Sequence, residues 1–321
     1  TTGRPVENPE ARYPNGETVI WPSALGAHNW HPMAFSPDTG LTYIPAVDMS
    51  GYYNDVGVDF LRWKHPDRIE YSPGLAPVRR PWPPDQVDAY LLAWDPIRQR
   101  EAWRIRTPSG YSGGVSVTAG GLVLQGGADG KLSVYDANNG HLLGAFELGV
   151  GTLSPPITYE VKGKQYISIL AGWGRGVPLR PEPVDHTGWW IGREQPRRLL
   201  TFVLDGKGTL PEPPRRTRSV PLDDPNFIVD PAKRNHGARL YGRKCHICHG
   251  LGAVSGGYAP DLRASPIVLS SPAFDNVVRG GNMAFRGMPI FPDLSSEDLD
   301  SIQHYVRAQA RSALSAPAPS P

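Results

Sequence analysis

The sequence lacks most features that mark a disulfide-braced, membrane-spanning or nucleic-acid-binding protein. Its 321 residues include only two cysteines, too few for a disulfide framework. Basic and acidic residues nearly cancel, 33 against 31, and the net charge of +2 gives no argument for nucleic acid or an anionic membrane surface. No apolar run approaches the ~20 residues that a membrane span needs. The opening Thr1-Thr2-Gly3-Arg4-Pro5 does not read as a signal peptide. His28 and His31 have no carboxylate beside them to complete a metal site.

What is present is concentrated in one stretch, Cys245-His246-Ile247-Cys248-His249. Two thiols three residues apart, with a histidine directly after the second, are what covalent haem attachment requires. The thiols add across the two vinyl groups and the imidazole becomes an axial ligand of the iron. A structural zinc site needs four closely spaced Cys or His ligands, and no second cysteine pair exists. The motif therefore predicts haem c on Cys245 and Cys248 with His249 as the first axial ligand. Haem is attached outside the cytoplasm, so a periplasmic location is expected. The second axial ligand should be a methionine further on, since thioether sulfur suits a haem that only transfers electrons. Met288, in Gly287-Met288-Pro289, is preferred because its neighbours fix a loop; Met283 stays open as the alternative. Pro260 can orient the His249 ring through its carbonyl. Arg263 either forks onto a haem propionate or is a solvated surface residue.

Ahead of this motif the chain is rich in turn formers, with 36 glycines and 35 prolines, and reads as all-β over residues 1–205. Residues 121–126 form a short apolar strand. Asp129-Gly130 then turns into the alternating Lys131–Tyr135, and Asn139-Gly140 turns into His141–Phe146. Leu92-Ala93-Trp94-Asp95 and Val134-Tyr135-Asp136 end alike, and their aspartates are 41 positions apart, close to the ~40–50 residues of a propeller blade. Thr201-Phe202-Val203-Leu204-Asp205 is a third copy, and each aspartate is expected to cap a turn. Thr2-Gly3-Arg4-Pro5 reads as a turn inside a blade, so the chain is expected to begin in mid-repeat. Residues 206–234 read as an extended, proline-rich linker. Residues 235–312 are the helical haem domain, closed by a helix capped at Ser295 with Asp298 in the capping box and Leu299, Ile302, Tyr305 and Val306 on one face. Residues 313–321 are a Ser/Ala/Pro tail expected to be disordered.

A resemblance joins these pieces. The run from Gly26-Ala27-His28-Asn29-Trp30-His31-Pro32 to Phe35, Ser112-Gly113-Gly114, Ala171-Gly172-Trp173-Gly174 and Arg198-Leu199-Leu200-Thr201-Phe202 precede a proline-rich linker and a haem c domain. In that order they resemble the soluble type II quinohaemoprotein alcohol dehydrogenases, which use pyrroloquinoline quinone (PQQ). The resemblance runs from about Thr2 to Ala310. It implies a mainly β fold, about four blades of an eight-bladed propeller, followed by an all-α cytochrome c domain. It implies that Asn29 and Trp30 contact PQQ and that Trp173 and Gly174 close around its edge. It places no catalytic residue in this chain. The family's aspartate base and Ca²⁺ ligands belong to an N-terminal propeller half, expected as a separate chain or cleaved fragment. Arg175-Gly176-Val177 departs from the glycine-rich run usual after the Trp-Gly pair. An alcohol is the implied substrate, and a blue copper protein or cytochrome the implied electron acceptor. The alternative is a non-enzymatic c-type cytochrome with a β docking module.

Overall fold

The computed structural model describes residues 3–4, 6–12, 14–23, 26–54, 59, 61–62, 87–107, 112–172, 197–212, 219–255 and 259–315. Contacts divide the chain into two units, one holding the described strands and the other the helices within Thr217–Pro321.

The β unit is a series of antiparallel sheets whose order in the chain follows the hairpin turns. Strands β1 (Glu17–Ile20), β2 (Ala34–Ser36), β3 (Leu41–Met49), β4 (Gly51–Asn54), β5 (Val87–Asp95) and β6 (Arg100–Arg106) form a four-stranded sheet, β2-β3-β5-β6, and a two-stranded ribbon, β1-β4. Next come β7 (Val115–Val117), β8 (Leu122–Gly126), β9 (Lys131–Asp136) and β10 (Leu142–Glu147), paired in strict sequence order. The third sheet has three strands, β11 (Ile157–Val161), β12 (Lys164–Ala171) and β13 (Arg198–Val203). Meandering four-stranded sheets of this kind are propeller blades, and the described sheets do not close into a ring.

Burial explains why the strands differ in pattern. In β8, Val123 packs against Leu91, Trp103 and Tyr135, while its neighbour Leu124 packs against Leu132, Ile169 and Leu200. Both faces of this central strand are covered, so it reads as a continuous apolar run rather than an alternation. By contrast, β3 alternates between buried positions and half-buried or, at Asp48, exposed ones. Two side chains of the first sheet converge on one carbonyl of the second. The Trp103 indole N–H donates to the Ala137 oxygen at 3.2 Å, and the Tyr43 hydroxyl donates to it at 2.9 Å. The chain turns beside the indole at Gly140, whose φ of +76° suits glycine, and a Cβ there would lie 2.8 Å from the ring.

The aspartate repeat has the expected physical basis in two of its three copies. Asp95 Oδ1 accepts the backbone N–H groups of Ile97 and Arg98 at 3.0 and 2.8 Å, and Asp136 Oδ1 accepts that of Asn138 at 2.7 Å. The Arg98 backbone N–H, followed by its guanidinium, holds the Asp95 carboxyl below the usual carboxylate range. Asp205 differs, because its own backbone enters the left-handed region at φ +62°.

The third sheet leaves one face bare. Ile169 and Leu200 are register partners turned inward, 1% and 8% exposed. Their neighbours Leu170 and Leu199 are also partners but face outward, 62% and 68% exposed.

The helical unit contains α1 (Pro231–Lys244), the single turn α2 (His246–His249), α3 (Ser271–Val278) and α4 (Ser296–Ser315). Helix α1 begins inside the stretch expected as linker, and the reason is local. Asp230 accepts the N–H groups of Ala232 and Lys233 at 2.7 and 2.9 Å, and Pro231 occupies the first turn, where its missing N–H costs nothing. Helix α4 starts as the capping box predicts: Ser295 Oγ accepts from Asp298 N, and Asp298 Oδ2 accepts from Ser295 N. It runs to Ser315, three residues beyond the expected boundary, and residues 316–321 lie outside the described residues. Helices α1 and α4 cross at Gly237, where a Cβ would sit 1.8 Å from the Ser301 carbonyl oxygen. Leu240, Tyr241, Phe274, Phe291, Ile302 and Tyr305 fill the core around this crossing.

Part of the expected linker belongs to this unit. The Arg311 guanidinium on α4 donates to Asp223 Oδ2 at 2.7 Å and to the carbonyl of Phe227 at 3.0 Å. Arg307 stacks over the Phe227 ring at 3.9 Å, and Leu222 N–H donates to the Arg263 carbonyl at 2.8 Å. Residues 219–230 are thus an extended strap fastened to the helices.

Candidate haem site and quinone-facing loops

The haem motif lies where α1 ends. The Cys245 N–H still donates to the Tyr241 carbonyl, and the Cys248 and His249 N–H groups donate to the Cys245 carbonyl at 3.2 and 3.0 Å. One tight turn therefore carries both thiols and the imidazole. The Tyr241 hydroxyl donates to the Gly250 carbonyl at 2.7 Å, tying the end of that turn back to α1. Burial pushes the Cys245 thiol up to about 12. A sulfur in such apolar surroundings is better suited to a neutral thioether than to a free thiolate.

Burial also lowers the His249 pKa, against the opposing effect of its bond to the Pro260 carbonyl, 2.9 Å from Nδ1. A neutral ring donating from Nδ1 keeps Nε2 as the electron-pair donor, the arrangement a metal-ligating histidine needs. Arg263 is neither solvated nor turned away from its own loop. Its Nε and Nη2 fork onto Asp261 at 3.0 and 2.7 Å, with the guanidinium side chain 18% exposed.

Met288 follows Gly287, whose φ of +85° closes the short turn Ala284–Arg286, and its side chain packs against the same core as Cys245. Met283 is half-buried and stands at the start of that turn, with its carbonyl accepting the Met288 N–H at 3.3 Å. The donor set of two thiols, one oriented imidazole and one thioether on a glycine-set loop fits a covalently bound haem with two protein axial ligands.

In the β unit, the loop carrying Asn29 and Trp30 is pinned at both ends. Val47 N–H donates to the Ala27 carbonyl at 2.8 Å, and Val115 N–H donates to the Pro32 carbonyl at 3.0 Å. Trp30 is 58% exposed and stacks on His31 with ring centroids 4.2 Å apart. The result is an outward-facing indole, backed by an imidazole, beside the exposed carboxamide of Asn29. That surface fits the face of a flat polar heterocycle. Ser112-Gly113-Gly114 owes its glycines to packing: a Cβ on Gly113 would meet the Gly126 and Ser154 carbonyls at 2.8 Å, and one on Gly114 the Pro32 ring at 2.5 Å. Trp173, Gly174 and Arg175-Gly176-Val177 lie outside the described residues.

His31 is the titratable group that burial perturbs most in this loop. Burial, with a smaller effect from His28, pushes its pKa down to about 4. The unfolded chain, with an ordinary histidine near 6.5, binds the extra proton first as the pH falls. Stability is therefore full above about 6.5 and is lost between about 6.5 and about 4, by about 3 kcal/mol at most. Urea midpoints of the β unit at pH 7 and 4.5 should show this loss, and His31→Gln should flatten it.

Comparison with known proteins agrees with both units. Residues 92–167 match the family described as glucose/ethanol/alcohol dehydrogenase, beta-propeller domain. Residues 232–306 match the family described as cytochrome C oxidase, cbb3-type, subunit III. The chain thus combines part of a quinoprotein propeller with a cytochrome c domain. It is similar to part of the quinohaemoprotein alcohol dehydrogenases. It is 40% identical to quinohemoprotein alcohol dehydrogenase ADH IIB of Pseudomonas putida over 96% of this chain and 44% of that one. It is 34% identical to 1-butanol dehydrogenase (cytochrome c) of Thauera butanivorans, with the same coverage. Among solved structures, quinohemoprotein alcohol dehydrogenase ADHIIG of Pseudomonas putida HK5 matches with a TM-score of 0.80 at 34% identity, over 97% of this chain and 46% of that one. The Comamonas testosteroni enzyme matches with a TM-score of 0.72 at 33% identity, over 97% and 45%. The chain spans less than half the length of these relatives. No helix among the described residues is long and apolar enough to cross a membrane.

Sequence reasoning did not identify two features around the haem motif. Asp261 holds Arg263, and Lys244, next to Cys245, is paired with Asp293 at 2.8 Å. The first has a sequence signal, since the two residues are only two apart. The second spans 49 positions and has none.

Proposed function

We propose that this chain is the C-terminal portion of a periplasmic alcohol dehydrogenase that contains PQQ and haem c. It works with an N-terminal propeller half that supplies the catalytic base and Ca²⁺ ligands. When bound, the quinone accepts the electrons of alcohol oxidation and the haem passes them singly to an external acceptor such as a blue copper protein or another cytochrome. In this chain, Cys245 and Cys248 would tether the haem, and His249, oriented by the Pro260 carbonyl, would be one ligand of its iron. Met288 would be the second ligand, and a haem held by these two residues would supply electron transfer rather than substrate binding. Asn29 and Trp30 would hold the quinone, a role that the family resemblance extends to Trp173 and Gly174. The bare Leu170–Leu199 face carries the reading, because a propeller blade with an apolar face open to solvent lacks its neighbour.

Reconstitution tests this. The 321-residue chain mixed with the N-terminal half, PQQ and calcium should show alcohol-dependent reduction of the haem, and the chain alone should show none. Alcohol turnover by the chain alone overturns the division of labour. A purified complex holding haem but no quinone would instead support the non-enzymatic cytochrome.

A further inference from the structure

Lysine is among the residues least often buried, yet the side chain of Lys244 is only 8% exposed. It is the last residue of α1 and directly precedes Cys245. Its ammonium donates to Asp293 Oδ2 at 2.8 Å and lies 5.8 Å from the centre of the Phe291 ring. Both partners lie on the segment that leaves Met288. This segment has no helix or strand between Gly287 and Ser296. Within it, Phe291, 5% exposed, donates its N–H to the Val278 carbonyl at 2.9 Å, and Leu294, 4% exposed, closes a turn onto the Phe291 carbonyl. The haem-attachment turn on one side and a loop without helix or strand on the other are therefore joined by a charge pair whose lysine is largely buried and whose aspartate is 37% exposed.

We propose that Lys244 and Asp293 are positioning residues that clamp the Met288 loop to the haem-attachment turn and keep the methionine sulfur on the iron. The inference rests on the assignment of His249 and Met288 as the axial pair. The thioether is the weaker ligand of the two, so a loop free to swing out gives its coordination place to any better donor. Separating the partners would leave the largely buried Lys244 ammonium poorly solvated, so the pair resists opening of the loop. The pair Lys233–Asp300, at the other end of α1, joins that helix to α4 at 2.6 Å, and its lysine is 44% exposed. It provides a matched control.

The test uses the full chain carrying covalent haem. Ferric iron bound to thioether sulfur has a weak charge-transfer band in the red, and exogenous imidazole competes for that position. In Lys244→Met and Asp293→Asn, imidazole should bind the ferric haem about tenfold tighter, and the red band should fade at lower temperature than in the parent. Lys233→Met, which loses the same charge from the same helix, should leave both readouts unchanged. If the band depends on Met288, as judged by Met288→Ala, but neither Lys244→Met nor Asp293→Asn changes imidazole affinity, the clamp is overturned and the axial assignment stands. If the band survives Met288→Ala, the axial assignment falls and the clamp with it. Asp293→Asn keeps the loop's shape, so the proposal remains open to refutation even where Lys244→Met folds poorly.

Discussion

Replacing both Cys245 and Cys248 with serine is expected to abolish covalently held haem. The denatured double variant should run at the mass of the bare polypeptide, while the parent retains the added haem mass under the same conditions. The single variants Cys245→Ser and Cys248→Ser should each keep one thioether and a weaker attachment. The effect reaches beyond the cofactor. Cys245 and Met288 pack on the same core, and a tethered haem lying against it would bury apolar area in the folded state only. The double variant should therefore also melt earlier in its helical unit. Retention of haem mass after denaturation of the double variant would refute the attachment site.

The second large effect is steric. Gly237→Ala places a methyl group where the Ser301 carbonyl oxygen would be 1.8 Å away. A backbone oxygen inside α4 cannot rotate aside as a side chain can. The two helices must separate, and Leu240, Tyr241, Ile302 and Tyr305 lose contact with one another. Overpacking costs about 1–3 kcal/mol and sometimes more, and this site belongs at the upper end. For a unit of this size about 3 kcal/mol corresponds to a fall of roughly 12–24 °C in Tm. A circular dichroism melt at helical wavelengths reads the change directly. A fall of only a few degrees would mean that the crossing can slide at little cost.

How much of this was legible in the sequence depended on distance along the chain. The haem motif was legible because its chemistry lies within five consecutive residues, and the Ser295–Asp298 capping box because its partners are three apart. The central strand Leu122–Gly126 could be found from its apolar run, since both faces are covered. The N-terminal cap of α1 was also written locally, in Asp230-Pro231, but the proline-rich surroundings masked it. By contrast, no local pattern predicts that Trp103 and Tyr43 share the Ala137 carbonyl, or that Lys244 meets Asp293. Those pairings depend on sheet stacking and on the path of a loop, which arise only once the chain is compact. The role of Gly237 was equally hidden, because a glycine within a helix is weakly unfavourable until a second helix needs its space.

The strap from residue 219 to 230 has a consequence for how the helical unit opens. Arg311 near the end of α4 grips Asp223 and Phe227, residues 88 and 84 positions earlier. The two extremities of the unit are thus each other's anchor, a reversible clasp across the loop that contains the haem motif. Ends that would ordinarily fray independently must detach together. The expected result is that the unit opens as one cooperative block, with amide hydrogens on α1 and α4 showing a common opening free energy by hydrogen exchange rather than a gradient from the termini inward.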